Sequence, residues 1–392
     1  MEEYRKKIAI VTHQMVMGGI EKSLIELCRK LQEKNVEVTL YLEAEYGELY
    51  GSIPDGIKVR FIFKEYNSSK QIMKTFLKRK ETGKAYSFIK ACLINKLNGN
   101  PVKGWKETVN YLESNEEYYD YAFAYGAPIA FSTIYVIEKI KAKKKYAWIH
   151  NDPSQLSLDI VQYKMCFERY DKIICVSENT KKKFDNIFPE YSLKTKVFYN
   201  IINQDVIKEK ANEKLYVDNF KGKRLLTVGR LCEKKGQDII PEIMKKLLRD
   251  NYDVKWYCVG EGELHTYLNT LIEKEKLQDR VILIGNKNNP YPFFKMADIY
   301  VQPSRDEGFG ITITEAKILG LPIIATDFDG ASEQIEDGKT GIIVKFNIDE
   351  MYVAIKKMLD NEDLVENFKF NLKRDTNKCI SDINELISLE KE

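Results

Sequence analysis

The chain has 392 residues, with 62 Lys and Arg against 59 Asp and Glu, a net charge of +3. Its 44% hydrophobic and 31% charged residues supply enough apolar chain for sizeable cores, which excludes a disordered, collagen-like or disulfide-stapled mini-protein. At about 150 residues per domain the length suggests two or three domains. Three histidines (His13, His150 and His265) without close pairing argue against a multi-histidine metal site. The seven cysteines are Cys28, Cys92, Cys166, Cys175, Cys232, Cys258 and Cys379; none forms a CxxC pair, and they read as small core residues in a reducing compartment. No apolar run approaches the roughly 18 residues of a spanning helix. The apolar stretch at residues 8–11 is too short for a signal-peptide core, so a cytoplasmic protein is expected.

In chain order, short apolar runs alternate with helical patterns. Residues 8–11 form the first run, and a Gly-Gly loop follows it. Ile20, Leu24, Leu27, Cys28 and Leu31 then repeat on one helical face. Further strands are predicted at 36–42, 58–63, 119–125, 146–150, 173–177 and 196–199. The stretch 201–222 is polar and interrupts the rhythm, which resumes at 224–228, 254–259, 281–284, 298–301, 322–325 and 341–344. Continuous rather than alternating apolar strands indicate parallel sheets covered on both faces. Two βα series in succession predict two doubly wound α/β Rossmann-like domains facing a cleft, with ligand at the carboxyl ends of the strands. The boundaries read from the sequence are 1–204, a linker at 205–222, a second domain at 223–370 and a C-terminal helix at 371–392 packing back on the first domain.

Residues 70–106 stand apart. They hold ten Lys or Arg and one acid, Glu81, with Ile72, Met73, Phe76, Leu77, Phe88, Ile89, Leu93, Ile94 and Leu97 interleaved. In a nearly neutral chain this local excess reads as a cationic amphipathic insertion for anionic lipid. The plainer alternative is a solvated helical surface with a buried apolar side. No nucleic-acid module accompanies the basic run, so no nucleic-acid partner is expected.

The chemistry-bearing residues lie in the second half. Arg230 ends a predicted strand and Lys235 follows at a helix start, a placement suited to a diphosphate. Glu307 and Glu315 stand eight positions apart across Gly308, Phe309, Gly310 and Ile311. The glycines permit close backbone approach, the amides of residues 309–312 would face an anion, and each carboxylate can accept two sugar hydroxyls.

Arg230 with Lys235, then the E-x7-E pair Glu307 and Glu315, resemble the signature of the retaining family-4 glycosyltransferases with the GT-B fold. Gly18-Gly19-Ile20-Glu21-Lys22 resembles that family's N-terminal glycine loop, Trp148-Ile149-His150 its strand-end histidine, Phe198-Tyr199-Asn200 the residues before its linker, and Val259-Gly260-Glu261-Gly262 a further loop. The resemblance implies that Arg230 and Lys235 neutralise a nucleotide diphosphate. Glu315 would bind the ribose and Glu307 would hold the donor sugar. Gly18 and Gly19 would approach the donor phosphates, and His150 would contact the sugar or reacting centre. The nucleobase would lie near the loops after Val259 and Ile284, beside Glu261. Where the family commonly has two glycines this chain has Asp329-Gly330, before Glu333.

Three local motifs are weaker than they look. Asp327-Phe328-Asp329 is a D-x-D that follows a strand rather than forming the metal loop of another fold. Gly338-Lys339-Thr340 ends like a phosphate loop, but Glu333 stands where its first glycine belongs. His13, after the first strand, reads as a hydrogen-bonded loop residue as readily as one facing the cleft. The expected activity is transfer of a sugar from a nucleotide-sugar donor, UDP-linked by family frequency, with retention and without a metal or other cofactor. The expected acceptor is a polyprenyl-diphosphate-linked or other glycan, as in bacterial surface polysaccharide or capsule synthesis. The expected location is peripheral, on an anionic membrane's inner face. The rival readings are a non-catalytic GT-B partner subunit and a nucleotide-sugar 2-epimerase.

Overall fold

The computed structural model describes residues 5–63, 69–97, 101–127, 130–150, 152–155, 160–214, 218–375 and 380–388. Cys379 lies outside them. The chain divides into two compact units, Met1–Ile201 with Ser381–Glu392, and Ile202–Ile380.

The first unit is built on seven strands: β1 (Lys7–Thr12), β2 (Glu37–Leu42), β3 (Lys58–Phe61), β4 (Tyr118–Ala127), β5 (Lys141–Ile149), β6 (Lys172–Cys175) and β7 (Thr195–Val197). They pair in parallel in the order β3-β2-β1-β4-β5-β6-β7. The order reverses between β1 and β4, which makes their carboxyl ends the switch point of this sheet. Residues 8–12 of β1 are buried on both faces, as expected of a continuous apolar run at a sheet's centre. β5 starts at Lys141, five residues ahead of the run that marked it. Its Lys141, Lys143 and Lys144 are exposed at the amino end of the strand, and only Ala142 between them packs against the core.

The basic insertion folds as three helices in the crossover from β3 to β4: Ser69–Lys78, Thr82–Leu97 and Pro101–Tyr111. Phe76, Ala85, Phe88, Ala91, Val102, Val109 and Tyr111 join the unit's core, and Phe76, Phe88 and Tyr111 meet edge to face. The insertion thus has a buried apolar side. Yet Tyr86, Ile89 and Leu93, on one face of the middle helix by their spacing, are exposed, as is Leu77. Cys92 is exposed as well, unlike the buried Cys28, Cys166, Cys175 and Cys258, because it too lies on the outer side of that helix.

The second unit has six parallel strands: β8 (Lys223–Val228), β9 (Val254–Val259), β10 (Val281–Gly285), β11 (Ile299–Gln302), β12 (Ile323–Thr326) and β13 (Gly341–Val344). Their order is β10-β9-β8-β11-β12-β13, so the switch point lies between β8 and β11. The polar stretch after the first unit contains the helix Gln204–Lys210, capped by the Asn203 side chain on Val206 N–H at 3.1 Å. The Lys210 carbonyl accepts from Asn289 within the second unit.

The loops at the carboxyl edge of this sheet approach backbone to backbone. Added Cβ atoms would stand 2.0 Å from the Gly229 carbonyl oxygen at Gly260, 2.3 Å from that of Leu231 at Gly262 and 1.8 Å from that of Pro303 at Gly236. Gly236 also has φ +68°, the left-handed region. Gly236→Ala should therefore cost about 2 kcal/mol or more, from backbone strain plus the collision with Pro303. Urea unfolding of this variant beside Gly338→Ala checks it. Gly338 shares the positive φ of +74° but has open space around it, so it should lose only the strain.

Candidate functional site

At the β8/β11 switch point the structure brings together four of the residues singled out by sequence. Val228 ends β8, Arg230 follows in the loop, and the short turn Glu233–Lys235 brings Lys235 back beneath the end of β11. That turn is stapled to the loop after β11. Arg305 N–H donates to the Lys234 carbonyl at 2.8 Å, and the Arg305 guanidinium forks onto Asp238 with both bonds at 2.6 Å. Lys235 Nζ is thereby set against Glu307 Oε1. The other Glu307 oxygen accepts from Gln302 Nε2 at 3.0 Å and Ser304 Oγ at 3.1 Å.

Gln302, the last residue of β11, is fully satisfied. Its Nε2 also donates to Ser304 Oγ at 2.7 Å, and its Oε1 accepts from Thr312 Oγ1 at 3.1 Å and from the Tyr300 hydroxyl. Burial, with the Glu307 and Glu315 charges, holds the Tyr300 hydroxyl far above its ordinary pKa, so it stays a donor. Sequence reasoning missed Tyr300, Gln302 and Ser304. Their only signal was a polar residue in a predicted buried strand end. Arg230 is exposed, and its side chain pairs with no carboxylate among the described residues; its carbonyl is fixed by Gln237 Nε2 at 3.0 Å.

Gly308 and Phe309 lead to Gly310, which has φ +81° and begins the helix Ile311–Ile318 without any side-chain cap. The amides of Gly310, Ile311 and Thr312 have no acceptor among the described residues. Such a turn is ready for an anion. Glu315 lies one helical turn past Ile311, and Glu307 sits in the loop before the helix. It is 2% exposed, and its Oε1 accepts from the Tyr291 hydroxyl at 3.0 Å. Glu261 is exposed in the loop after β9, 3.8 Å from His265. The Asp327-Phe328-Asp329 turn places the Phe328 ring 3.0 Å from where a Gly310 Cβ would be, so it backs the anion turn. No group of three or more His, Cys, Asp or Glu among the described residues could hold a metal ion.

In the first unit, Gly18 precedes the helix Gly19–Glu33. Glu21 folds back over it, with its Oε2 only 2.3 Å from where a Gly18 Cβ would be. This helix N-terminus is thus already served by a carboxylate. Ser23 in its first turn donates to Asn200 Oδ1 at 2.9 Å and accepts from the Tyr125 hydroxyl at 3.3 Å, tying the helix to β4 and to the stretch after β7. His13 pairs with Glu43 at 2.7 Å, and this hydrogen bond raises its pKa.

His150 follows β5 directly, its ring 4.3 Å from that of Tyr125 and stacked at 6.3 Å on Trp148. It is 6% exposed, and its Nε2 meets no hydrogen-bond partner among the described residues. Burial pushes its pKa down to about 3, so the imidazole is neutral. In the unfolded chain it takes a proton near 6.5, the ordinary value for histidine. Stability from the neutral ring is therefore full above that value and lost as the pH falls toward the folded one. Relative to His150→Gln, the wild type should lose about 1.4 kcal/mol per pH unit below that point. Urea unfolding of both proteins at about pH 7 and about pH 5.5 reads this. A difference that does not change with pH would mean that the ring is not held neutral.

Residues 208–375 match the family model "Glycosyl transferases group 1". An uncharacterized glycosyltransferase of Methanocaldococcus jannaschii is 32% identical over 203 residues, 49% of this chain and 50% of that protein. The N-acetylgalactosamine-N,N'-diacetylbacillosaminyl-diphospho-undecaprenol 4-alpha-N-acetylgalactosaminyltransferase of Campylobacter jejuni is 29% identical over 205 residues, 51% of this chain and 54% of that protein. The chain thus spans about half the length of the curated relatives it matches. Over its whole length the fold resembles that of HepE from Anabaena, crystallised with UDP and glucose, with TM-score 0.69 and 17% identity over 99% of both chains. Both units have the Rossmann-like fold of GT-B glycosyltransferases, and residues 208–375 are similar to the group 1 glycosyltransferases.

Proposed function

We propose that the chain is a retaining glycosyltransferase that moves a sugar from a nucleotide-sugar donor, UDP-linked, to a lipid-linked glycan acceptor without a metal. The observation that carries this reading is the meeting of Arg230, Lys235, Glu307 and the uncapped turn at 310–312 beside one switch point. In the transfer step the bond from the anomeric carbon to the diphosphate oxygen breaks, and its electron pair leaves with the nucleotide. The acceptor oxygen bonds to the same face of that carbon, and its proton passes to the departing phosphate oxygen. The transition state has oxocarbenium character. Arg230, Lys235 and the amides of Gly310 and Ile311 meet the charge that builds on the diphosphate, which is the task a metal would otherwise perform.

Both Glu307 oxygens are engaged by donors, which favours a carboxylate that receives sugar hydroxyls over one that attacks carbon. Glu315, with Tyr291, takes the ribose, and Glu261 lies on the nucleobase side. The roles of His150 toward the sugar and of Gly18 and Gly19 toward the donor phosphates are carried over from the family resemblance alone. The printed acceptor of the Campylobacter relative is a diphospho-undecaprenol glycan, which supports an acceptor of that class here.

No helix of the described residues is long and apolar enough to cross a membrane. A peripheral, cytoplasmic-face location is proposed from the insertion, where Tyr86, Ile89, Leu93 and Leu77 are exposed, as are Lys74, Lys78, Arg79 and Lys80.

Two experiments test the reading. Calorimetric titration with UDP and GDP in EDTA should show one nucleotide binding, weakened about 100-fold in Arg230→Ala, the weight of a lost charge-assisted contact to phosphate. Binding of neither nucleotide would reject the donor site and leave the non-catalytic partner subunit as the better reading. Flotation with anionic liposomes should fall when Tyr86, Ile89 and Leu93 are changed to Ser. Unchanged flotation would remove the membrane part alone.

A further inference from the structure

The anion turn is held from behind by a buried side chain that belongs to none of the sequence motifs. Gln334 is 1% exposed. Its Nε2 donates to the Phe309 carbonyl and lies 3.4 Å from the Gly310 carbonyl and 3.3 Å from that of Gly330. Thr314 Oγ1 donates to Gln334 Oε1 at 2.5 Å. The orientation of the amide is forced, because the three carbonyls can only accept and therefore face the NH2 end. The Gln334 backbone is anchored as well. Its carbonyl takes the buried Lys317 ammonium at 2.8 Å, and that ammonium also reaches Asp375 at 3.2 Å.

A trans peptide sets its C=O and N–H on opposite sides. Drawing the Phe309 carbonyl onto Gln334 turns the Gly310 N–H the other way. The Gly310 carbonyl takes the Ile313 N–H at 2.9 Å, with the Gln334 nitrogen 3.4 Å away, and its direction turns the Ile311 N–H outward in the same manner. These are two of the amides without an acceptor. Gly330 seats the same peptide, since a Cβ there would stand 2.2 Å from the Phe309 carbonyl oxygen.

We propose that Gln334 is a positioning residue that fixes the Phe309-Gly310 peptide plane, and backs the Gly310-Ile311 plane that Ile313 N–H holds, so that the Gly310 and Ile311 N–H groups are aimed at the leaving diphosphate. The inference rests on the reading of this turn as the diphosphate site. Donors fixed before the reaction need no reorganisation as charge develops, which is where such a residue acts.

The test compares UDP with uridine, or GDP with guanosine if that nucleotide binds, in the wild type and in Gln334→Met, which keeps the length and loses the donor. The nucleoside lacks the phosphates and reports the rest of the site. Diphosphate affinity should fall about tenfold with nucleoside affinity unchanged. With an acceptor in hand, kcat should fall more than KM rises. Thr314→Val, which removes only the hydroxyl that orients the amide, should show a weaker form of the same split and guards against a Met variant that fails to fold. Equal loss of nucleoside and nucleotide would mean a merely structural role and overturn the proposal. So would an unchanged diphosphate affinity in Gln334→Met when the wild type binds. A wild type that binds neither nucleotide overturns the underlying reading, and this inference with it.

Discussion

One carboxylate, that of Glu307, organises the carboxyl edge of the second sheet. A mostly buried carboxylate is costly unless it is paired and hydrogen-bonded. Here the donors come from separate places in the chain: Lys235 from the loop after β8, Gln302 from the end of β11 and Ser304 from the loop that follows. The ladder sets the spacing of β8 and β11, and satisfying Glu307 then fixes the loop after β8 against the loop after β11. Gln302 extends the constraint, because its oxygen is claimed by Tyr300 and Thr312 and its amide cannot turn away. The carboxylate and the first turn of the helix Ile311–Ile318 are linked through that one side chain.

Such rigidity requires loops that touch without intervening side chains. Gly260 against Gly229, Gly262 against Leu231, Gly236 against Pro303 and Gly330 against Phe309 leave no room for a Cβ. Each contact replaces flexible chain with a fixed backbone spacing, and the strain falls on residues that tolerate it. The two helix starts of interest then differ in kind. In the first unit Glu21 supplies a negative charge to the turn after Gly18. In the second the turn after Gly310 is given none, while its carbonyls are tied back. A turn stripped of its own cap and held rigid is arranged for an anion that comes from outside.

The strands were legible because parallel sheets bury both faces, and the resulting apolar runs survive any detail of packing. The opening of β5 was not legible, since Lys141, Lys143 and Lys144 are exposed and Ala142 alone of residues 141–145 gives an apolar side chain to the core, so no apolar run marks it. Arg230, Lys235, Glu307 and Glu315 stood out through short motifs with charged residues at fixed spacing. Gln302, Gln334 and Arg305 did not, because a buried amide or a stapling guanidinium acquires its meaning from partners far along the chain. Gln334 lies 25 positions from Phe309, and Arg305 lies 67 from Asp238. For His150 the position was readable and the protonation state was not. Neutrality follows from burial between Tyr125 and Trp148, and a strand-end histidine carries no sign of that.

The insertion shows how composition can point to the right surface for an incomplete reason. Its excess of cations drew attention, yet Lys84 pairs with Glu81, Lys90 with Glu107 and Arg79 with Glu113. Exposed pairs of this kind cancel field more than they add stability. What sets the segment apart is the middle helix, apolar on two sides. Ala85, Phe88 and Ala91 fill the core, while Tyr86, Ile89 and Leu93 remain outside. A surface that owed its attraction to cations alone would lose it over a Debye length as salt rises. One that adds exposed aromatic and aliphatic side chains retains an apolar share that salt does not screen, because the gain from removing that area from water is independent of charge. The three side chains, rather than the ten cations counted in the sequence, are therefore the part of this segment whose exposure most needs a partner to explain it.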